Sequence, residues 1–408
     1  MTRLRYGVPY WLDRPGNGRA ATYPRQHGTL RTDVVIVGGG FTGLAAAHTF
    51  SNAGVRVVVL ERARVARGSA AASTALLMHE PDCPFMELSE RYGITRSRAL
   101  WRVSTKAVSD LIALARKLNC GLHTPRSLHV AADAASAREL RREHEARRAA
   151  GIQEHWLSRA MLQRSSHVAG FGAIASKGNA VLDPYRTTFA LGESARARGA
   201  RVFEHSPALD IKPGRGSVTV TTPGGTVRAR QAIIATGFAT PEFRALQAQF
   251  TMATTYVIAT ARLNARTRAR IGEGRVMFWD AKRPYHYFRW TDDGRVLFGG
   301  GDRPVPSTNA ARRNALLEAA SSLKQALTTV VPALGPIRIS HAWDGLFATT
   351  PDGLPYIGPH RHYPGHLFAL GYGGNGMTLG FLAGQVLLRH VLGRTLATDD
   401  LFCFDRLL

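Results

Sequence analysis

The stretch from Asp33 to Gly43 limits the possible folds of this chain more than any other. Asp33-Val-Val-Ile-Val37 is a continuous apolar run, Gly38-Gly-Gly-Phe-Thr-Gly43 carries G-x-G-x-x-G, and Leu44 to Asn52 has helical periodicity. A buried strand turning straight into a helix gives each glycine a reason. Gly38 makes the tight turn, Gly40 lets a diphosphate approach the backbone, and Gly43 lets helix and strand pack closely. The helix start offers unpaired N–H groups and the positive end of a dipole. Arg56 to Leu60 supplies a second strand ending at Glu61, 23 residues after Gly38, where a carboxylate can accept both ribose hydroxyls. Strand, glycines, helix, strand and acid in this order predict a β-α-β dinucleotide-binding unit. The acid disfavours a 2′-phosphate, and the unit alone leaves NAD and FAD open.

A chain of 408 residues exceeds what one core usually organises, so two domains are expected. The 53 Lys+Arg against 29 Asp+Glu give +24, which raises the question of nucleic acid, anionic membranes or acidic substrates. Only six of the 53 are Lys, the arginines are spread along the chain, and no aromatic-interleaved basic stripe marks a groove, so no nucleic-acid partner is expected. The densest run, Arg138 to Arg148, alternates Arg with Glu and His and reads as a solvated helix face. Cys83, Cys120 and Cys403 are odd in number and far apart, with no C-x-x-C pair; this fits a reduced cytosol and predicts no metal site. No segment reaches the roughly 18 apolar residues needed to span a bilayer, and the first residues lack a signal-peptide core. A cytoplasmic protein is expected.

Residues 1–32 are rich in Pro, Gly and Arg and read as an irregular arm. Helices are predicted from Phe41 to Ala53, Met86 to Leu118, Ala134 to Ala149, Tyr185 to Gly199 and Ala310 to Thr328. Strands Val218 to Thr222 and Thr226 to Ala235 flank Pro223-Gly224-Gly225 as a hairpin. A second β-rich zone covers Thr254 to Leu263, Arg275 to Asp280, Pro284 to Thr291 and Arg295 to Gly299, with Asp293-Gly294 as its turn, and is assigned to a separate antiparallel sheet.

Ala232-Ile-Ile-Ala-Thr-Gly237, the segment W-D-G-L-F-A-T-T-P-D-G-L-P-Y-I-G from Trp343, and A-L-G-Y-G-G-N-G-M-T-L-G-F-L-A ending at Ala383 join the opening turn in one pattern. It resembles the D-amino-acid oxidase superfamily of FAD enzymes, which includes glycine oxidase, sarcosine oxidase and γ-glutamylputrescine oxidoreductase, with the last closest in pattern. The resemblance implies an α/β fold: a Rossmann-type FAD-binding domain (33–80, 155–245 and 336–408) interleaved with a substrate domain on an antiparallel sheet (81–154 and 246–335). It also implies an extended FAD, with adenosine at Glu61, Arg62 and the Ala208 region and isoalloxazine at the domain junction. The phosphate turn contributes Gly38, Gly40, Phe41, Thr42 and Gly43, and the strand end Thr236 and Gly237. Small residues Ser69, Ser73 and Thr74 lie in the loop that runs beside the ring. Gly374, Asn375, Gly376, Met377 and Thr378 lead into an apolar helix whose N–H groups can hold charge developing on the flavin.

Two departures from the pattern bear on chemistry. The carboxylate-clamping Arg of glycine-oxidase-like members falls at Phe347, which cannot form a bidentate pair. The flavin-tethering Cys of sarcosine-oxidase-like members falls at Gly345, so FAD is expected to be non-covalent. The expected substrate is a small primary or secondary amine, oxidised to an imine that water hydrolyses, with oxygen or another acceptor taking the electrons. In the strand from Lys282 to Arg289, alternation puts Tyr285, Tyr287 and Arg289 on one face and His286 and Phe288 on the other. His286 is a candidate base, Tyr287 a candidate for positioning the amine, and Lys282 either an oxygen-activating charge or a surface charge. Amino-acid oxidation and action on modified tRNA are the alternatives.

Overall fold

The structure, a computed structural model, describes residues 4–14, 22–282 and 285–407. Its first layer is a six-stranded sheet in the order Arg201–Phe203, Val57–Leu60, Val34–Val37, Gln231–Gly237, His366–Leu370 and Tyr356–Pro359. All neighbours are parallel except the last pair. Val34–Val37 and Val57–Leu60 are apolar at every position because both faces of this sheet are covered. Helices Phe41–Asn52, Pro184–Arg196 and Gly376–Leu392 bury one face. On the other face Val35, Val58 and Ala232 meet Val218, Val220 and Val227 of a four-stranded sheet.

The first and last of these helices cross closely because small residues face each other. A Cβ added at Gly384 would lie 3.1 Å from the Ala46 Cα, and one at Gly380 2.6 Å from the Thr42 Oγ1. The two helix starts, Phe41 and Gly376, are thereby held side by side.

The second layer is a nine-stranded sheet: Arg5–Tyr6, Ile339–Thr349, Thr251–Thr260, Val296–Pro304, His286–Trp290, Val276–Asp280, Arg126–Ala131, Gly172–Ser176 and His155–Ser158. It is antiparallel apart from its first pair and the Val276–Asp280/Arg126–Ala131 pair. Helix Asn309–Val330 covers one face, with Leu316, Leu323 and Leu327 against Tyr256, Phe278 and Phe298. The opposite face looks toward the first layer.

Several expectations need correction. The predicted helix from Met86 to Leu118 is two helices, Phe85–Tyr92 and Ile94–Lys117, separated by Gly93 at φ +78°, a conformation that leaves the helical region. The predicted strand from Thr226 to Ala235 is also two: Gly225–Ala229 pairs with Ser217–Thr222, while Gln231–Gly237 enters the parallel sheet. Strands from 155–176 and 339–349, grouped by sequence with the cofactor domain, belong to the nine-stranded sheet. The arm 1–32 is built into the fold where it is described: Arg5–Tyr6 pairs with the long strand, Gly28–Arg31 pairs with Gly225–Ala229, and Tyr10 and Trp11 are buried. The start of the Pro284 to Thr291 strand lies outside the described residues. The Arg138 to Arg148 run is not wholly solvated, since Glu143, His144 and Arg147 are buried.

A fully enclosed ion pair ties down the C-terminal segment. Arg406 Nε and Nη2 donate to Asp352 at 2.7 and 2.8 Å, both side chains are fully enclosed, and the guanidinium lies 3.9 Å from the Tyr356 ring centroid. Removing one partner of such a pair strands the other charge, at a cost of about 3–5 kcal/mol. Urea unfolding of Arg406→Ala is therefore expected to show that loss, and a loss below about 1 kcal/mol would contradict it.

Candidate active site

A cavity of about 970 Å³ runs between the two layers. At one end it is lined by Gly38, Gly40, Phe41 and Thr42 at the helix start, by Glu61 and Arg62 at the end of the second strand, and by Ala208, Thr236 and Gly237. The glycines here do different work. Gly38 sits at φ +115° with its missing Cβ against the Ala235 carbonyl, and Gly43 packs on the Gly38 carbonyl beneath the turn without lining the cavity. A Cβ at Gly40 or Gly237 would meet nothing within 4 Å, so these positions border open space rather than packed protein. The Glu61 carboxylate is fixed by the N–H groups of Gly39 and Ala63, each at 2.8 Å. A helix N-terminus, an anchored acid and a bare backbone between them fit an extended dinucleotide.

The middle of the cavity is bordered by Ser69, Ser73, Thr74 and Gly345. The carbonyls of this small-residue loop are held from the side of the nine-stranded sheet. Trp343 donates to Ala72 O at 2.9 Å, Trp11 to Ser73 O at 2.8 Å, and Arg289 to Thr74 O at 2.9 Å. Arg289 also donates to Leu182 O at 2.6 Å and lies over the Trp11 ring. Burial lowers its pKa to about 10, so it stays charged at neutral pH. Alternation placed Arg289 with Tyr285 and Tyr287; its head instead lies beneath the loop and does not line the cavity. Ser69 closes the loop onto the long strand through Leu346 O at 3.0 Å.

Beyond it the Gly373–Met377 turn contributes Gly374, Gly376 and Met377 to the wall. Asn375 and Thr378 do not line the cavity. Asn375 Nδ2 donates to Met78 O and Glu80 O at 2.8 and 2.9 Å, and Thr378 Oγ1 to Met78 O at 3.0 Å, so both pin the neighbouring segment instead.

The far wall carries Trp279, Tyr285, Tyr287 and Phe347. Tyr287 is half-buried and shares a 3.0 Å hydrogen bond with Thr255, and desolvation pushes its phenol above the usual range. His286, the candidate base, projects to the opposite side of the strand, where it stacks on Phe298 and pairs with Asp280 at 2.9 Å; it does not line the cavity. Lys282 is exposed, bonds Asp133 at 3.2 Å and also lies outside the cavity wall. Sequence reasoning missed Asp82, which lines the cavity and accepts from Gly374 N–H at 2.7 Å across 292 residues of chain.

A buried polar network reaches the cavity at this end through Glu80, Glu143 and Arg147. Arg147 bonds Glu143 at 2.7 Å and Glu154 at 3.2 Å, and Glu143 also accepts from the first N–H groups of helix Phe85–Tyr92. His79, Glu80 and Glu154 converge there. Burial works against charge on His79, but Glu80 and Glu154 outweigh it and raise its pKa.

The sequence model of the FAD dependent oxidoreductase (DAO) family matches residues 33–389. The chain is 26% identical to glycine oxidase of Bacillus licheniformis, over 92% of this chain and 96% of that one. It is 25% identical to γ-glutamylputrescine oxidoreductase of Escherichia coli K12, over 90% and 84%. The crystal structure of glycine oxidase from Geobacillus kaustophilus superimposes with a TM-score of 0.75 at 22% identity, covering 92% of this chain and 99% of that one. With the match running through the glycine turn, the clamped loop and the C-terminal turn alike, the chain belongs to the family of FAD dependent oxidoreductases.

Proposed function

We propose that the protein oxidises the C–N bond of a primary or secondary amine that carries no α-carboxylate. The carbon bearing the nitrogen gives up a hydride and the nitrogen a proton, leaving an imine that water converts to a carbonyl compound and the freed amine or ammonia. FAD, when bound, supplies the hydride acceptor, and oxygen or another acceptor takes the electrons onward. The cradle from Glu61 to Met377 would hold it without a covalent bond at Gly345, which has no nucleophile to offer.

The observation that carries this reading is the wall facing the clamped loop. A substrate carboxylate asks for a forked guanidinium. This wall instead offers Trp279, Tyr285, Tyr287 and Phe347, and the described cations at this end are Arg142 at the surface and Arg147, held by two glutamates. An aromatic wall also favours the neutral amine, whose lone pair the reaction requires. Tyr287 and Tyr285 are the groups we assign to orienting the nitrogen. His286 and Lys282 have no part in this reading.

The resemblance to glycine oxidases supports a second reading, oxidation of a free amino acid. Anaerobic mixing of the yellow protein with each class decides between them. Amines are expected to bleach the flavin faster than glycine or other α-amino acids, and the reverse order would overturn the reading of Phe347. Phe347→Arg should raise kcat/KM for α-amino acids about ten- to a hundredfold, the equivalent of the ~1.5–3 kcal/mol of a charge-assisted hydrogen bond.

Two further variants probe the assignment. Gly40→Val places its side chain in open space, so the protein should fold and purify colourless; retained yellow would count against the phosphate turn. Lys282→Ala should leave kcat/KM within about twofold, as for an exposed surface charge. A loss of a hundredfold or more in reoxidation by oxygen would return Lys282 to the site.

A further inference from the structure

Three side chains hold the small-residue loop, and only one of them is charged. The indole N–H groups of Trp343 and Trp11 hold the carbonyls of Ala72 and Ser73 at 2.9 and 2.8 Å, so fixing a carbonyl here takes a donor and no charge. At the next two residues the donor is a guanidinium. Arg289 Nη1 donates to Thr74 O at 2.9 Å, to Leu182 O at 2.6 Å and to Ala75 O at 3.4 Å, and its Nε donates to Trp290 O at 2.9 Å.

A buried cation normally comes with a buried acid. Every hydrogen bond that Arg289 makes among the described residues ends instead on a backbone carbonyl, and the Trp11 ring centroid lies 5.2 Å from its Cζ. The acids whose charge reaches it, Asp183 and Asp292, are paired with Arg14 at 3.4 and 2.8 Å. Burial lowers its pKa to about 10, which leaves it protonated at neutral pH. An enclosed positive charge is thus kept where no carboxylate is bonded to it.

That charge stands one peptide group behind the cavity. Thr74 and Ala75 both line the cavity, and Arg289 does not. The peptide joining Thr74 to Ala75 is bonded at both ends: its carbonyl accepts from Arg289, and its N–H, that of Ala75, donates to Ser73 Oγ at 3.0 Å. Ser73 also lines the cavity, and a hydroxyl that accepts still has a proton to donate. Guanidinium, peptide and hydroxyl therefore run donor to acceptor in one direction, and hydrogen bonds in such a line polarise one another. Ala75 is held at φ +55°, a left-handed conformation that a non-glycine residue keeps only where its surroundings over-determine it.

We propose that Arg289 is a positioning residue that favours reduction of the bound flavin through its charge, relayed to the cavity by the peptide between Thr74 and Ala75. The ring of FAD, the family's cofactor, is uncharged when oxidised; a hydride brings it two electrons and one proton, and leaves it an anion. A cation fixed beforehand behind the cavity wall stabilises that anion without having to reorganise. Such an anion also offsets the cost of enclosing a charge that holding the carbonyls does not require. The inference rests on the family alone, because an amine and an amino acid give up the same hydride.

The test uses the FAD-loaded protein and reads the flavin itself, with no substrate present. Arg289→Gln keeps N–H donors and removes the charge; it is expected to disfavour reduction about tenfold or more, a potential lower by about 30 mV for a two-electron couple. Sulfite, whose sulfur lone pair bonds to the oxidised ring and leaves it anionic, should bind this variant about tenfold more weakly, by the same electrostatics. Arg289→Lys keeps the charge with fewer bonds, and Trp11→Phe keeps Arg289 while deleting a donor to the loop. Both should hold the potential and the sulfite affinity within about twofold of the parent protein. If Arg289→Gln retains no flavin, these two variants decide: values held within that range support the proposal, and a tenfold loss of sulfite affinity in both assigns the effect to the loop's bonds and overturns it. A change of less than about twofold in a flavin-loaded Arg289→Gln would overturn it as well.

Discussion

Three side chains, Trp343 and Arg289 of the nine-stranded sheet and Trp11 of the N-terminal arm, hold the carbonyls of Ala72, Ser73 and Thr74. A loop made of small residues has few side-chain contacts of its own and would be costly to order. Its carbonyls are engaged by these donors, two of them indole N–H groups and one a buried guanidinium, while Ala72, Ser73 and Thr74 line the cavity. The arrangement also explains why the arm at the N-terminus is folded in: Trp11 is both a donor to the loop and the ring beneath Arg289. Arg289 is charged and enclosed, which is tolerable only because Thr74, Leu182 and Trp290 carbonyls accept from it. The two sheets share this loop as a common wall of the cavity.

From that wall the chemistry divides by electrostatics. At the end formed by the first helix start, Gly40, Phe41 and Thr42 line the cavity with Arg62, Arg64 and Arg67. At the opposite end acids predominate, and Arg147, which also lines the cavity, is paired with Glu143 and Glu154. The two ends of this one continuous space thus differ in charge: arginines line one, and carboxylates outnumber arginines at the other.

Contiguous features were legible in the sequence, and assembled ones were not. Strand, glycine turn, helix, strand and Glu61 follow one another within thirty or so residues, and each step has a local steric reason, so the phosphate end could be read directly. The alternation that put Tyr287 and His286 on opposite faces was also readable, but which face meets the cavity depends on how the nine-stranded sheet is laid against the first layer. Hence the strand offers His286 as a candidate base by residue type, although it packs on Phe298. The strand from Thr226 to Ala235 looked continuous because both halves are extended; only the partners change at Arg230, one half pairing with a meander and the other with Val34–Val37. Gly93 lay inside a helical pattern that glycine alone does not break, and its positive φ is a tertiary outcome. Asp82 had no local signature, since its partner Gly374 is far along the chain. Arg147 looked like one of many surface arginines until the fold turned that helix face inward.

The most direct measurement is an experimental structure of the yellow protein with its cofactor. The account predicts adenosine beside Glu61 and Ala208, the diphosphate at the N–H groups following Gly40, and the ring between the clamped Ser69–Thr74 loop, Tyr287 and the Gly374–Met377 turn. It also predicts no bond to Gly345. Density for the ring outside this space, or a diphosphate away from the first helix, would contradict it.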